Sequence, residues 1–241
     1  MMGGMTRTND HGQPIGEPVP GWERRTLPDK VTIEGRYARL EPVAAEHAAD
    51  LFAALGHEDD DSLWTYRSDG RPHDVGAMAR MIADWASRTD TVTFAIVPSD
   101  TGTATGVATL CRVDPDHGSI EVGAVLHSRS LQRTRAATEA ISLLARHVFD
   151  DLGYRRFEWK LDSHNRPSAR AARRLGFRYE GRFRNAMVYK GRNRDTDWFA
   201  MTDADWPEIR AALERWLDPA NFDETGWQRT SLSDLTRGLA G

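Results

Sequence analysis

Apolar and polar residues alternate over Arg36–Pro42 (RYARLEP), a period-two pattern that predicts the first strand. The spacing turns helical over Ala44–Leu55, with Leu51, Phe52 and Leu55 on one face. Gly56–Arg71 reads as a loop carrying the acidic run Glu58–Asp61. Asp74–Ser87 predicts a second helix, capped by Asp74. Strands are predicted at Thr93–Val97 and Thr105–Val113, around the turn Ser99-Asp100-Thr101-Gly102. The turn Asp114–Gly118 leads in hairpin fashion to a third strand, Ser119–Leu126. Thr134–Leu152 is the longest predicted helix, and Gly153 sits where a helix-ending glycine belongs. Arg155–Lys160 is a short β-rich segment. Pro167–Leu175 is a helix capped near Asn165 or Arg166 and closed by Gly176. Two strands, Phe177–Tyr189 and Thr196–Met201, are expected around a turn at Lys190–Arg194, and Asp203–Leu217 forms a last helix.

That order of elements is α/β with a mixed, mostly antiparallel sheet. No internal repeat interrupts it. Residues 1–30 are rich in Gly, Pro and polar side chains and are expected to form a mobile tail, partly ordered by Trp22. Residues 31–217 form the domain. Residues 218–241 form a polar C-terminal extension, with Phe222 and Trp227 as candidate anchors.

The 241 residues hold one sizeable domain with extensions or two small ones. The formal charge of −4 gives no electrostatic case for direct nucleic-acid binding. A single cysteine, Cys111, excludes an intrachain disulfide framework and fits a reducing compartment. With no signal-peptide core and no apolar run long enough to span a bilayer, a cytoplasmic protein without a membrane partner is expected. His117, His147 and His164 lack zinc-ligand spacing, so no metal is expected.

The most informative stretch is Glu121–Leu126 followed by Leu131–Ala140: an apolar strand, a short basic loop, then the first turns of a helix. Unpaired N–H groups and the positive end of the dipole make such a helix start a phosphate site. With Leu152-Gly153-Tyr154, Asn165-x-x-Ser168 and Leu175-Gly176-Phe177 downstream, these segments point to an acyl carrier held by its pyrophosphate.

In order and in these motifs, Arg36–Leu217 resembles the GNAT N-acetyltransferase superfamily, and in particular its branch of ribosomal-protein N-terminal alanine and serine acetyltransferases. The family's Gln/Arg-x-x-Gly-x-Gly/Ala loop corresponds to Gln132, Arg133, Thr134, Arg135, Ala136 and Ala137, with Arg135 in place of the central glycine. Arg135 either blocks close approach of the phosphates or supplies charge to them. The resemblance implies a GNAT fold with splayed central strands and flanking helices. It also implies acetyl-CoA as acyl donor, and a primary amine (a small molecule or a protein N-terminus) as acceptor. The pantetheine arm would pair with backbone near Val125 and Leu126. Glu121 is the candidate base, the alternative being a strand residue paired with a neighbouring arginine. Ser168 is the candidate partner of the departing sulfur, the alternative being a helix-start serine bonded to backbone. Asn165 either contacts pantetheine or simply caps its helix. Ala172 stands where many relatives carry a tyrosine acid. Trp64 and Tyr66 are candidates to line the acceptor pocket. His127 reads as structural, with a secondary possibility as a base. The rival class is a non-catalytic acyl-CoA-binding or regulatory module, and a homodimer is a further possibility.

Overall fold

The computed structural model describes residues 7–239. Eight strands form one sheet, β1 (Ile33–Glu34), β2 (Ala38–Pro42), β3 (Val92–Pro98), β4 (Gly106–Asp114), β5 (Ser119–His127), β6 (Arg156–Asp162), β7 (Arg178–Tyr189) and β8 (Arg192–Thr202), in the order β1-β2-β3-β4-β5-β6-β8-β7. All neighbours are antiparallel except β5 and β6.

The helices are α1 (Ala48–Leu55), α2 (Val75–Ser87), α3 (Arg135–Arg146), α4 (Arg166–Arg174), α5 (Trp206–Leu217) and α6 (Leu232–Leu235). They cover both faces of the sheet, which is why β3 is buried along its whole length. Phe94 and Ile96 join the core containing α3 and α5, while Ala95 and Val97 face α1 and α2. The alternation of a strand thus feeds two cores at once.

One carboxylate ties α3 to the sheet. Glu139 lies buried on α3 and accepts hydrogen bonds from the backbone N–H groups of Arg36 (3.0 Å), Tyr37 (2.5 Å) and Ala38 (2.8 Å). Gly35 makes room for it: a Cβ there would stand 2.6 Å from Glu139 Oε2.

Several boundaries differ from the sequence reading. The helix expected over Thr134–Leu152 is α-helical only to Arg146 and finishes as a π turn, His147–Asp151. The five-residue turn expected at Lys190–Arg194 is a two-residue hairpin turn. Lys190 (φ 48°) and Gly191 (φ 70°) take the left-handed conformations that match strand twist, so Arg192 already belongs to β8. Part of the acidic loop, Glu58–Trp64, is wound into a 3-10 segment.

The segment before β1 is tied to the domain at several points. Trp22 Nε1 donates to Asp116 O, Arg25 N to Pro115 O, and Tyr154 Oη to Thr26 O. In the C-terminal extension Phe222 packs edge-on against Trp216 and Leu232 is fully buried. Trp227 does not act as an anchor: it is 74% exposed.

Candidate active site

The parallel pairing of β5 with β6 stops early. Ser119, Ile120 and Glu121 face Arg156, Phe157 and Glu158, and beyond them the two strands diverge. The edge of β5 past Glu121 therefore has no strand partner on that side among the described residues, and its backbone groups other than Ala124 O are open to a ligand that pairs like a strand.

Two bulges shape β5 near this point. Between the β4 pairs at Thr109 and Val107, β5 carries an extra residue, with Ala124 at φ 51°. On β4, Arg112 is itself in the left-handed region (φ 46°), within the irregularity between Cys111 and Asp114. Bulges re-aim side chains. Here Arg112 Nε comes within 2.9 Å of Glu121 Oε2, and Ala124 O accepts from Arg67 Nη1 at 2.5 Å.

The splay opens a cleft of about 460 Å³. Glu121–Val125 of β5 form one wall and Trp159–Asp162 of β6 the other. Asn165 and Ser168 of α4 line one end, Tyr66–Asp69 cover it, and Phe183, Met187, Arg194 and Trp198 of the β7–β8 hairpin close the remaining side.

Glu121 is buried at the base of the gap, with Lys160 Nζ 3.2 Å from Oε2 on the side opposite Arg112. Neither cation forms an aligned hydrogen bond to that oxygen. Burial pushes the Glu121 carboxyl above the ordinary glutamate range, against the opposing pull of Lys160 and Arg112. Gly123 keeps the neighbouring space open: a Cβ there would lie 3.0 Å from Glu121 Oε1. Asp162 shows the opposite balance. Burial again opposes its charge, but hydrogen bonds from His164 N–H and Tyr189 O–H hold its carboxyl below the usual range.

Ser168 Oγ accepts from Trp159 Nε1 at 2.9 Å, which leaves the hydroxyl proton free to be donated elsewhere. Asn165 caps α4 through Oδ1, accepting from Ser168 N at 3.2 Å, and so retains its amide donors. Cys111 carries a thiol pushed up to about 12, mainly by burial, and is not a thiolate near neutral pH.

Gln132 and Arg133–Ala137 lie beyond the far end of β5, where α3 begins. Thr134 caps α3 by accepting from Ala137 N, and Arg133 adopts φ 64°, leaving a concave run of backbone at the helix start. Gln132 Nε2 donates to His127 O. The Arg135 guanidinium lies 4.9 Å from the centre of the Tyr37 ring and 4.6 Å from that of Phe222, on the wall of a second cavity. Arg133, Thr134, Arg135 and Ala136 line that second cavity, whereas Glu121, Val125, Asn165 and Ser168 line the cleft.

One sequence-predicted residue stands elsewhere. Trp64 does not line the pocket: it is 2% exposed, packs in the core of α1 and α2, and donates its indole N–H to Leu55 O. Its place in a loop expected to cover the acceptor site suggested a pocket-lining role, but a tryptophan can be buried once its N–H finds an acceptor. Tyr66 does line the cleft; the Leu126 side chain packs into the α1–α2 core while its backbone belongs to β5. His127 Nε2 is buried with no partner, and burial lowers the ring to about 4. The residues that sequence reading missed are Arg67, Arg112, Lys160, Asp162, Arg194 and Trp198. Lys160, in the largely buried strand Arg156–Asp162, was the one detectable signal, because a cation inside a buried strand needs a partner.

Among the described residues no helix is long and apolar enough to cross a membrane, and no group of metal-binding side chains is assembled. Residues 38–178 match the family described as the acetyltransferase (GNAT) domain. The fold superposes on a GCN5-related N-acetyltransferase from Brucella melitensis with a TM-score of 0.89 at 40% identity, covering 91% of this chain and 100% of the other. A Bacillus licheniformis protein named uncharacterized N-acetyltransferase p20 is 29% identical over 124 residues, 52% of this chain and 69% of its own. At the level of fold alone, RimJ of Mycobacterium smegmatis in complex with CoA-disulfide gives a TM-score of 0.66 at 21% identity, over 76% of this chain and 93% of that one. With a splayed β5–β6 pair, a helix start beyond it and this family match across most of the sheet, the chain belongs to the GNAT acetyltransferases.

Proposed function

We propose that the protein is an acetyl-CoA-dependent N-acetyltransferase that acylates a primary amine by direct attack within a ternary complex. The observation that carries this reading is the buried carboxyl of Glu121 at the base of the gap between β5 and β6. The CoA bound to the RimJ neighbour supports the choice of donor.

In this reading the pantetheine arm pairs with the free edge of β5 near Val125. The pyrophosphate meets the backbone of Arg133–Ala137, where the dipole of α3 and the N–H groups of Arg135 and Ala136, which the Thr134 cap leaves aside, favour anions. The thioester then lies in the cleft beside Glu121. A carboxyl raised above the ordinary glutamate range is a stronger base for taking a proton from the acceptor's ammonium, directly or through a water, so that the free amine can attack. Ser168, oriented by Trp159, has its proton available for the departing thiolate. Two of the cleft carboxyls, Glu121 and Asp162, divide the work, since their surroundings push them in opposite directions. Glu121 takes the proton, and Asp162 stays charged to hold the incoming cation. The high Cys111 thiol supports transfer without an acetyl-cysteine.

A protein N-terminus or a small amine fits the open, mixed-charge cleft. The ribosomal-protein-serine acetyltransferase among the fold neighbours favours testing N-terminal peptides first. A cytoplasmic location accords with the single free cysteine. The exposed outer edge of β7, with Phe183 and Val188, supports a homodimer formed there. The functional test is a panel of amines and N-terminal peptides with acetyl-CoA, read by thiol release. A non-catalytic CoA-binding module would bind CoA and acetylate none of them.

A further inference from the structure

A cavity of about 940 Å³ lies at the start of α3 and is lined by residues other than those of the cleft between β5 and β6. Its walls combine three sources: the Arg133–Ala136 turn, the Tyr37 and Ser99 side of the sheet, and the C-terminal extension through Phe222 and Trp227. Its charge is one-sided. Arg36, Arg133, Arg135 and Arg174 line it against one carboxylate, Asp100. Among the described residues Arg135 and Arg174 lean on aromatic rings, Arg135 between Tyr37 and Phe222 and Arg174 over Trp216 at 4.7 Å. This is a positive site in a chain of net charge −4.

The loop that brings Trp227 to this cavity is firmly built. Asp223 Oδ1 accepts from Thr225 N, Thr225 Oγ1 and Trp227 N, and Asp223 N donates to Trp227 O. Phe222 and Gln228 bridge as a short antiparallel pair, and Gly226 turns the chain at φ 82°. Gln228 Oε1 accepts from Trp216 Nε1 at 2.8 Å, fixing the loop to α5. The product of all this bonding is an indole left 74% exposed at the rim of an arginine-rich cavity. A rigid loop that holds a large aromatic face in water is explained by a planar ligand that covers it.

We infer that the C-terminal extension completes the donor site, with Trp227 as the stacking platform for the adenine of CoA and the surrounding arginines as the seat of its nucleotide phosphates. The inference rests on the acetyl-CoA reading above. It makes residues 222–228 part of the binding site and gives Arg135 a role there: its guanidinium, held between two rings, presents charge to the phosphates without closing the helix start.

The test is calorimetry of the full chain with CoA, alongside steady-state kinetics with acetyl-CoA and with S-acetylpantetheine, which lacks the nucleotide. Base–aromatic stacking lost on substitution by alanine corresponds to about 5- to 150-fold in affinity. Trp227→Ala should weaken CoA by a factor in that range and leave the KM for S-acetylpantetheine unchanged. Trp227→Phe should recover most of the loss. The exposed ring makes no core contact, so both variants should melt with the wild type. Wild-type CoA affinity in Trp227→Ala would overturn the assignment, as would an equal loss toward both donors. A wild-type chain that binds no CoA would refute the acetyl-CoA reading itself, a result separable from failure of Trp227 alone.

Discussion

Glu139 is buried on α3 and is the sole acceptor joining that helix to three consecutive backbone N–H groups at the start of β2. Hydrogen bonds to a charged acceptor are worth about 1.5–3 kcal/mol each, and buried donors left unpaired cost about 1–3 kcal/mol. The three bonds share one carboxylate and are not additive. Glu139→Ala should therefore cost about 3–5 kcal/mol, partly relieved by water entering the space. Glu139→Gln is more informative. It keeps the shape and one acceptor oxygen for Tyr37 and Ala38 but turns an amide donor toward Arg36 N–H, and should cost about 2–3 kcal/mol. For a chain of this size each kcal/mol moves the melting temperature by roughly 2–4 °C. The losses are then about 6–20 °C for the alanine variant and about 4–12 °C for glutamine, measured by circular dichroism or scanning calorimetry. Because Tyr37 also flanks Arg135, CoA binding should weaken alongside stability. A Glu139→Gln variant that melts within a degree of the wild type would refute the clamp.

Glu121→Gln keeps shape and removes basicity, so kcat should fall by about 10²–10⁴ while the Kd for CoA stays near the wild-type value. Since burial raises the Glu121 carboxyl, the acid limb of the kcat/KM profile should lie above the ordinary glutamate range and vanish in this variant, with the deficit shrinking as pH rises; unchanged turnover from pH 6 to 9 would end the assignment. Ala136→Asp puts a negative charge beside the phosphates at the start of α3, and calorimetry should show CoA affinity markedly reduced; an undiminished affinity would place the pyrophosphate elsewhere. His127, lowered to about 4 from 6.5, binds its proton more readily when the chain unfolds. Stability should thus decline as pH falls from about 6.5 through about 4, by roughly 2–3 kcal/mol in urea titrations, and His127→Leu should remove that part of the slope.

The strands and helices that carry the site were legible from periodicity, because each has one clear apolar face or a glycine at its end. The helix cap at Asp74 followed from side-chain chemistry alone. What could not be read locally was the place where two strands part. The pairing of β5 with β6 fails after Glu121 for reasons of sheet geometry, and no residue announces it. The cleft side formed by Phe183, Met187, Arg194 and Trp198 was equally hidden, since it depends on β7 and β8 folding back beside β6. Trp64 and Trp227 depart from the roles read for them, pocket lining and anchoring. The first, in an acidic stretch, is core; the second, in a polar tail, is held out to solvent by the hydrogen bonds of Asp223.

The most direct measurement is a transfer assay with acetyl-CoA and a panel of N-terminal peptides and small amines, following released thiol and, by mass spectrometry, both acceptor and enzyme. Direct attack in a ternary complex requires thiol release that depends on the amine, one acetyl group gained by the acceptor, and none retained by the enzyme. A chain that becomes acetylated in the absence of acceptor, or that binds acetyl-CoA and transfers to no amine in the panel, would contradict it.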